Sequence, residues 1–347
     1  MPPLRLKILE TLPGEIAHHY EPGSDFMLFS RANRFWGRAA GHSFAFELPM
    51  SRRRRLQALT RIGRRLTRTD KSAATFNMAR DGIVILYLGQ VFFFDLTQHY
   101  LLCTSQLRQC RNTLHGGFAV TTTGIYFGEY GDNRLRNPVP LWVSRDDGRS
   151  WEIAFEFPAG SIKHVHGVHT DPHSESLWIP TGDFPGECGV FEMPGGDPEL
   201  MIRHGNGQQE WRPVSMFFEQ DRIIWGMDSQ LQTCRLQTMD RATGALTAGQ
   251  AFPGPVWYAK RLTGGTGLLQ SSVEPGPGSH SCHAHLFASD DLQNWKEIAR
   301  FRKDIWPMIF KFGVIAFADG IQSEEDFVIF GEALSGFDGC IFRAALQ

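Results

Sequence analysis

Four stretches of this chain share one grammar: "GIYFGEY" (Gly124–Tyr130), "SLWIPTGD" (Ser176–Asp183), "RIIWGMD" (Arg222–Asp228) and "GVIAFADG" (Gly313–Gly320). Each is an apolar run of strand length ending at or beside a carboxylate: Glu129, Asp183, Asp228 and Asp319. "GIVILYLGQ" (Gly82–Gln90) has the same shape but ends on Gln90. The strands before these runs begin near Phe76, His115, Lys163, Arg212, Val256 and Trp306, at steps of 39 to 50 residues. A strand-built repeat of that size reads as one four-stranded blade, and a blade cannot bury both faces alone, so the repeats must close into a ring. The expectation is an all-β chain, a six-bladed β-propeller, with seven blades as the alternative. It would be a single domain over 1–347, with 1–50 supplying closing strands, 51–70 a basic helical insertion and 76–347 the repeated blades.

Composition agrees with many short strands and turns. Hydrophobic residues make up 42% and charged residues 21%, with 27 Phe, 9 Trp, 36 Gly and 19 Pro. A net charge of −2 gives no global field to recruit nucleic acid or membrane. No run approaches the ~18 apolar residues of a membrane-spanning helix. The first residues contain no apolar segment of signal-peptide type, so the expected location is cytoplasmic. The six cysteines are scattered without a C-x-x-C pair, which argues for thiols over a disulfide framework.

Two segments carry a sharper signature. "SRDDGRSW" (Ser144–Trp151) fits S-x-D-x-G-x-[ST]-W, and "ASDDLQNW" (Ala288–Trp295) is a looser version. On these residues the chain resembles the Asp-box (BNR-repeat), sialidase-like β-propellers. The resemblance implies that Asp146 and Gly148 build a hairpin turn, that Trp151 packs between sheets, and that the box itself is structural. The sequence departs from the sialidase pattern in lacking Arg-Ile-Pro and in placing one arginine, Arg212, near its inner strands instead of three.

Candidate chemistry falls near the innermost strands and at the acid-ended second strands. "SIKHVHGVHTDP" (Ser161–Pro172) holds three histidines. Strand alternation puts His164 and His166 on one face and assigns His169 to a turn. His164, His166, Glu129, Asp183 and Asp228 are the candidate acid/base residues, since glycoside hydrolysis needs paired carboxylates and imidazole titrates near neutral pH. His115, Gln209, Arg212, Tyr258 and Lys260 are candidate substrate-binding groups, Arg212 as a fork for an acidic sugar. His115, His164 and His166 are a candidate set for a divalent metal (Mn, Ca or Zn), a composition similar to that of histidine-lined polysaccharide-lyase propellers. The functional expectation is a carbohydrate-active enzyme, glycosidase-like or lyase-like, acting on an acidic oligo- or polysaccharide. The alternative is a non-catalytic glycan-binding or scaffold propeller.

"SRRRRLQALTRIGRRLTR" (Ser51–Arg68) stands apart. Leu56, Leu59, Ile62 and Leu66 recur at helical spacing with arginines between them. This reads as one short basic helix over 52–68, its Leu/Ile stripe packed on the blades and its arginines solvated, paired with acids or facing an anionic surface.

Overall fold

The computed structural model describes residues 4–308 and 311–347. It is built almost wholly of strands, in seven antiparallel sheets each following a four-strand path. In chain order these span residues 16–47, 72–106, 118–157, 164–207, 217–251, 256–302 and 314–346. The last sheet takes three strands from the C-terminal part of the chain and its fourth, Leu6–Leu12, from the N-terminal part. That strand pairs Leu6 with Leu346 and Leu12 with Ile341.

The count of six blades is thereby corrected to seven. Within 1–50 only Leu6–Leu12 is a closing strand, whereas Ile16–Glu21, Phe26–Arg31, Arg34–Ala39 and His42–Glu47 form a complete sheet. This sheet escapes the repeat because its second strand, FMLFSR, ends on Arg31 and not on an acid. The last repeat is also re-registered. Trp306 begins no strand, Val314–Phe317 is the innermost strand, and the second strand is Phe327–Glu332, ending on Glu332.

Burial explains which strands the apolar pattern exposes to sequence reading. Second strands such as Gly82–Tyr87 and Leu177–Gly182 are buried along their whole length. Such strands read as continuous apolar runs, each large side chain contributing about 1.5–3 kcal/mol on burial. Fourth strands such as Leu101–Gln106 and Leu246–Ala251 have no buried residue and follow their leucines with polar and small residues.

Two compact units divide the chain: Met1–Asp70 with Asp228–Leu236 and Ala248–Gln347, and Lys71–Met227 with Gln237–Thr247. In the second unit Val84, Phe93, Ile125 and Phe127 form one apolar cluster and Leu141, Val165, Leu177 and Ile179 another. In the first unit Phe337 stacks on Phe342 at 4.3 Å between ring centres.

The two Asp turns are built alike. Asp146 Oδ1 accepts from Ser144 Oγ at 2.8 Å and from the Ser150 amide at 2.7 Å. Gly148, at φ 103°, donates its amide to Ser144 Oγ at 2.7 Å, a backbone conformation that favours glycine. Trp151 packs on Phe127 at 4.9 Å. In the first unit Asp291 accepts from Ser289 Oγ at 2.9 Å and from the Asn294 amide at 2.8 Å, beside the buried Trp295.

The basic segment holds two helices, α1 (Arg52–Gln57) and α2 (Arg61–Thr67), because Thr60 caps a second helix start by accepting from the Gly63 amide at 3.0 Å. Its expected orientation is reversed. Leu56 and Leu59 are 70% and 74% exposed, and Ile62 and Leu66 also face solvent, while Arg64 and Arg65 are buried. The physical reason is a waiting set of carboxylates. Arg61 forks onto Asp338 at 2.6 and 3.0 Å and reaches Asp70 at 2.8 Å and Glu15 at 3.1 Å. Arg64 also pairs with Glu15, and Arg65 with Asp304 and Asp338. Lys311 joins Asp70 to Glu332, and Lys303 meets Asp304. Burial opposes ionisation of Asp70 and Asp338, yet Lys311 and Arg61 beside Asp70, and Arg61 beside Asp338, hold both carboxyls below their usual range.

Candidate functional site

The candidate site lies in the second unit, around Asp183. The inner strand of the fourth sheet is broken into His164–Val165 and His169–Thr170, both pairing with Leu177–Gly182. Asp183 follows that partner strand directly, so His164, opposite Gly182, and His166, whose amide bonds to the Pro180 carbonyl at 2.9 Å, both meet it. His164 Nε2 lies 3.3 Å and His166 Nε2 3.4 Å from Asp183 Oδ1. The other ring nitrogens are anchored: Nδ1 of His164 on the Gly131 carbonyl at 2.7 Å and Nδ1 of His166 on the Pro213 carbonyl at 2.8 Å. Carbonyl oxygens only accept, so both rings carry a proton at Nδ1. Tyr130 covers His164 at 4.2 Å between ring centres.

Two cations complete the cluster. Arg212 Nη2 donates to Asp183 Oδ1 at 2.8 Å, and Lys163 Nζ donates to Oδ2 at 2.6 Å. Gln209 Nε2 donates to the Asp183 carbonyl at 3.1 Å. Gln209 opens a 3-10 turn, Gln209–Trp211, and Arg212 follows it directly, so neither comes from a strand. Burial alone would raise the Asp183 pKa, but His164, His166 and Arg212 hold the carboxyl far below the usual range. A carboxyl held ionised in this way has no proton to give a leaving group near neutral pH. Arg212 is likewise engaged by Asp183 and does not present the open fork that an acidic sugar needs. His164 is pushed toward the neutral form by burial, against the opposing pull of Asp183.

The remaining candidates do not join this cluster. His115 lies in the turn before the strand Phe118–Thr121, half-buried, and is outside the convergent set His164, His166 and Asp183. Glu129 is buried and accepts the amides of Arg108 and Gln109, both at 2.8 Å, and Trp142 Nε1 at 3.1 Å. Those bonds fit a structural acid tying a loop to a strand. His169 is a strand residue and not a turn residue. Its Nε2 meets the Val214 carbonyl at 2.8 Å, and burial lowers its pKa to about 4. In the first unit Asp228 accepts from Trp257 Nε1 at 2.8 Å, and Tyr258 is buried. Lys260 donates to the carbonyls of Ala318 and Gly320, and burial lowers its pKa to about 8. Asp319, raised to about 6 by burial, is partly countered by Lys260.

One feature of the first unit has no counterpart in the repeat grammar. A cavity of about 600 Å³ is lined by His280, Cys282, Arg302, Lys303 and Ser335 among others. The segment "SHSCHAH" (Ser279–His285), with three histidines and a cysteine in seven residues, was the signal available for it.

No protein-family model matches the chain, and no curated protein matches it in sequence. Its likenesses are to solved structures. The WD40 β-propeller domain of Doa1 superposes with a TM-score of 0.56 at 9% identity, covering 98% of this chain and 96% of that one. A chain of the mitotic checkpoint complex gives 0.57 at 9% identity, covering 98% and 94%, and U3-55K gives 0.55 at 9% identity, covering 98% of each. At such identity these likenesses establish the fold alone: an all-β, seven-bladed β-propeller with few helices. Among the described residues no helix is long and apolar enough to cross a membrane.

Proposed function

We propose that this chain is a non-catalytic recognition propeller whose partner is an acidic, amphipathic segment of another protein. The observation that carries this reading is the reversed helical pair. Leu56, Leu59, Ile62 and Leu66 face solvent because the arginines of α2 turn inward. Next to them Arg52, Arg53 and Arg54 are exposed, with no carboxylate in ion-pair contact among the described residues. An apolar stripe rimmed by cations matches a helix bearing apolar residues on one side and acids beside them. The WD40 fold likeness lends support to a protein partner. The engagement of Glu129, Asp183 and Asp228 by amide, indole and cationic donors weighs the same way against a glycosidase. The Asp-box resemblance is retained as a reading of turn construction, supported by the matching bonds of Asp146 and Asp291.

The test pairs binding with stability. A photo-crosslinker at Leu59 in the full chain should yield discrete protein adducts enriched in acidic segments, and Leu56→Asp with Leu66→Asp, both at exposed positions, should abolish them without lowering the melting temperature. Adducts unchanged in that variant would overturn the assignment. Binding to anionic vesicles with no protein adduct would replace the protein partner by a membrane surface. Turnover of any acidic oligosaccharide by the purified chain would return the enzyme reading.

A further inference from the structure

We infer that Nε2 of His164, Nε2 of His166 and Oδ1 of Asp183 form a site for a borderline transition cation, Zn²⁺ or Co²⁺ in class. This stands apart from the recognition surface: it uses other residues, in the other unit, and rests on different observations.

The first observation is geometric. One ligand atom from each of the three residues lies within 4.8 Å of the others, and all three residues are buried. His164 Nε2 and His166 Nε2 stand 3.3 and 3.4 Å from Asp183 Oδ1. Ligands about 2.1 Å from a tetrahedral centre are separated by about 3.4 Å, so both contacts have the length of a coordination-tetrahedron edge.

The second is chemical. The Nδ1–H groups are spent on the Gly131 and Pro213 carbonyls, so a neutral ring at either position turns a lone pair, not a proton, toward Oδ1. His164 is 2% exposed, and its Nε2 makes no hydrogen bond despite lying beside a carboxylate oxygen. Lone pairs facing one another across 3.3 Å repel in a low-dielectric setting unless a positive charge lies among them. Histidine ligands anchored through Nδ1–H on backbone carbonyls are the usual outer support of a metal centre.

The donor set selects the class of ion. Two imidazoles with one carboxylate suit Zn²⁺, Co²⁺ or Ni²⁺, whereas Ca²⁺ and Mg²⁺ want more oxygen donors than converge here. Arg212 and Lys163 orient Asp183 from outside, and their charge favours an anion or hydroxide as the fourth ligand.

The experiment uses the full chain, stripped with chelator and titrated with Co²⁺ alone. One equivalent should bind, with visible d–d bands of four- or five-coordinate cobalt that Zn²⁺ abolishes. His164→Gln and His166→Gln should each weaken uptake at least about 100-fold while circular dichroism stays unchanged. Should either variant fail to fold, the wild-type chain decides by ¹⁵N-detected histidine spectra, where Zn²⁺ should move two of the thirteen Nε2 resonances to coordinated positions. Folded wild-type protein that takes up no stoichiometric Co²⁺, uptake unaltered in both folded variants, or Zn²⁺ leaving every Nε2 resonance unmoved would each overturn the site.

Discussion

Two of the buried charge clusters among the described residues are organised on opposite principles. Around α2, Arg61, Arg64, Arg65, Lys303 and Lys311 meet Glu15, Asp70, Asp304, Glu332 and Asp338, five cations against five carboxylates. Around Asp183 a single carboxylate faces Arg212, Lys163 and two imidazoles. The balanced cluster matches cations to carboxylates in number and reads as a clasp that fixes the helices. The second gathers two cations and two imidazoles, each ring able to carry a proton or a metal, around one carboxylate, so its charges are not matched in number. Balance, more than the density of charge, therefore separates scaffold from site.

Breaking the clasp should give the largest effect. Arg61→Met removes a guanidinium shared by Asp70, Asp338 and Glu15 and should cost about 3–5 kcal/mol, measured by urea denaturation at pH 7. A loss below about 1 kcal/mol would mean that the network is solvated and not a clasp. At the other cluster Asp183→Asn keeps an oxygen acceptor for Arg212 but removes the countercharge, for an expected loss of about 1.5–3 kcal/mol.

Acid should also distinguish the clasp. Asp70 and Asp338 have folded pKa values below their unfolded ones, near ~3.9. Their contribution is complete above the unfolded value and is lost as pH falls through the folded values. Stability should thus drop below about pH 4, and Arg61→Met should flatten that acid limb. Denaturation curves from pH 7 to 2.5 in both proteins would reveal it, and parallel acid limbs would count against the coupling.

Charge excess at Asp183 makes a subtler prediction. Lys163→Met removes one positive charge that contacts Oδ2 and should tighten Co²⁺ binding by about tenfold, since a unit charge a few ångströms away is worth more than 1 kcal/mol at intermediate dielectric. The smallest effect belongs to the exposed stripe. Leu59→Asp should change stability by no more than about 0.5 kcal/mol, because that side chain contributes little buried area. A larger melting shift would show that Leu59 packs against structure after all.

Much of the fold was legible in the chain. Second strands buried on both faces must be written as unbroken apolar runs, and Gly82–Tyr87, Gly124–Gly128 and Leu177–Gly182 are read directly from the text. The blade formed by Ile16–Glu21 to His42–Glu47 was not, because it lacks the acid-ended strand that marks the others. The same-face pairing of His164 and His166 followed from alternation, and their meeting with Asp183 from none of it. Local periodicity records which side of a strand is buried, but not what stands opposite.

Sequence by itself determined an all-β repeat, its approximate period and the same-face pair His164 and His166, since each depends on the spacing of residues along the chain. Tertiary structure decided the number of blades, the inward turn of the α2 arginines and the partners of every buried acid. Those outcomes depend on groups far apart in the chain: Arg61 with Asp338, Arg212 with Asp183, Leu6 with Leu346. An amphipathic pattern says that a helix has two faces. Which face is buried was settled by the carboxylates waiting beneath it.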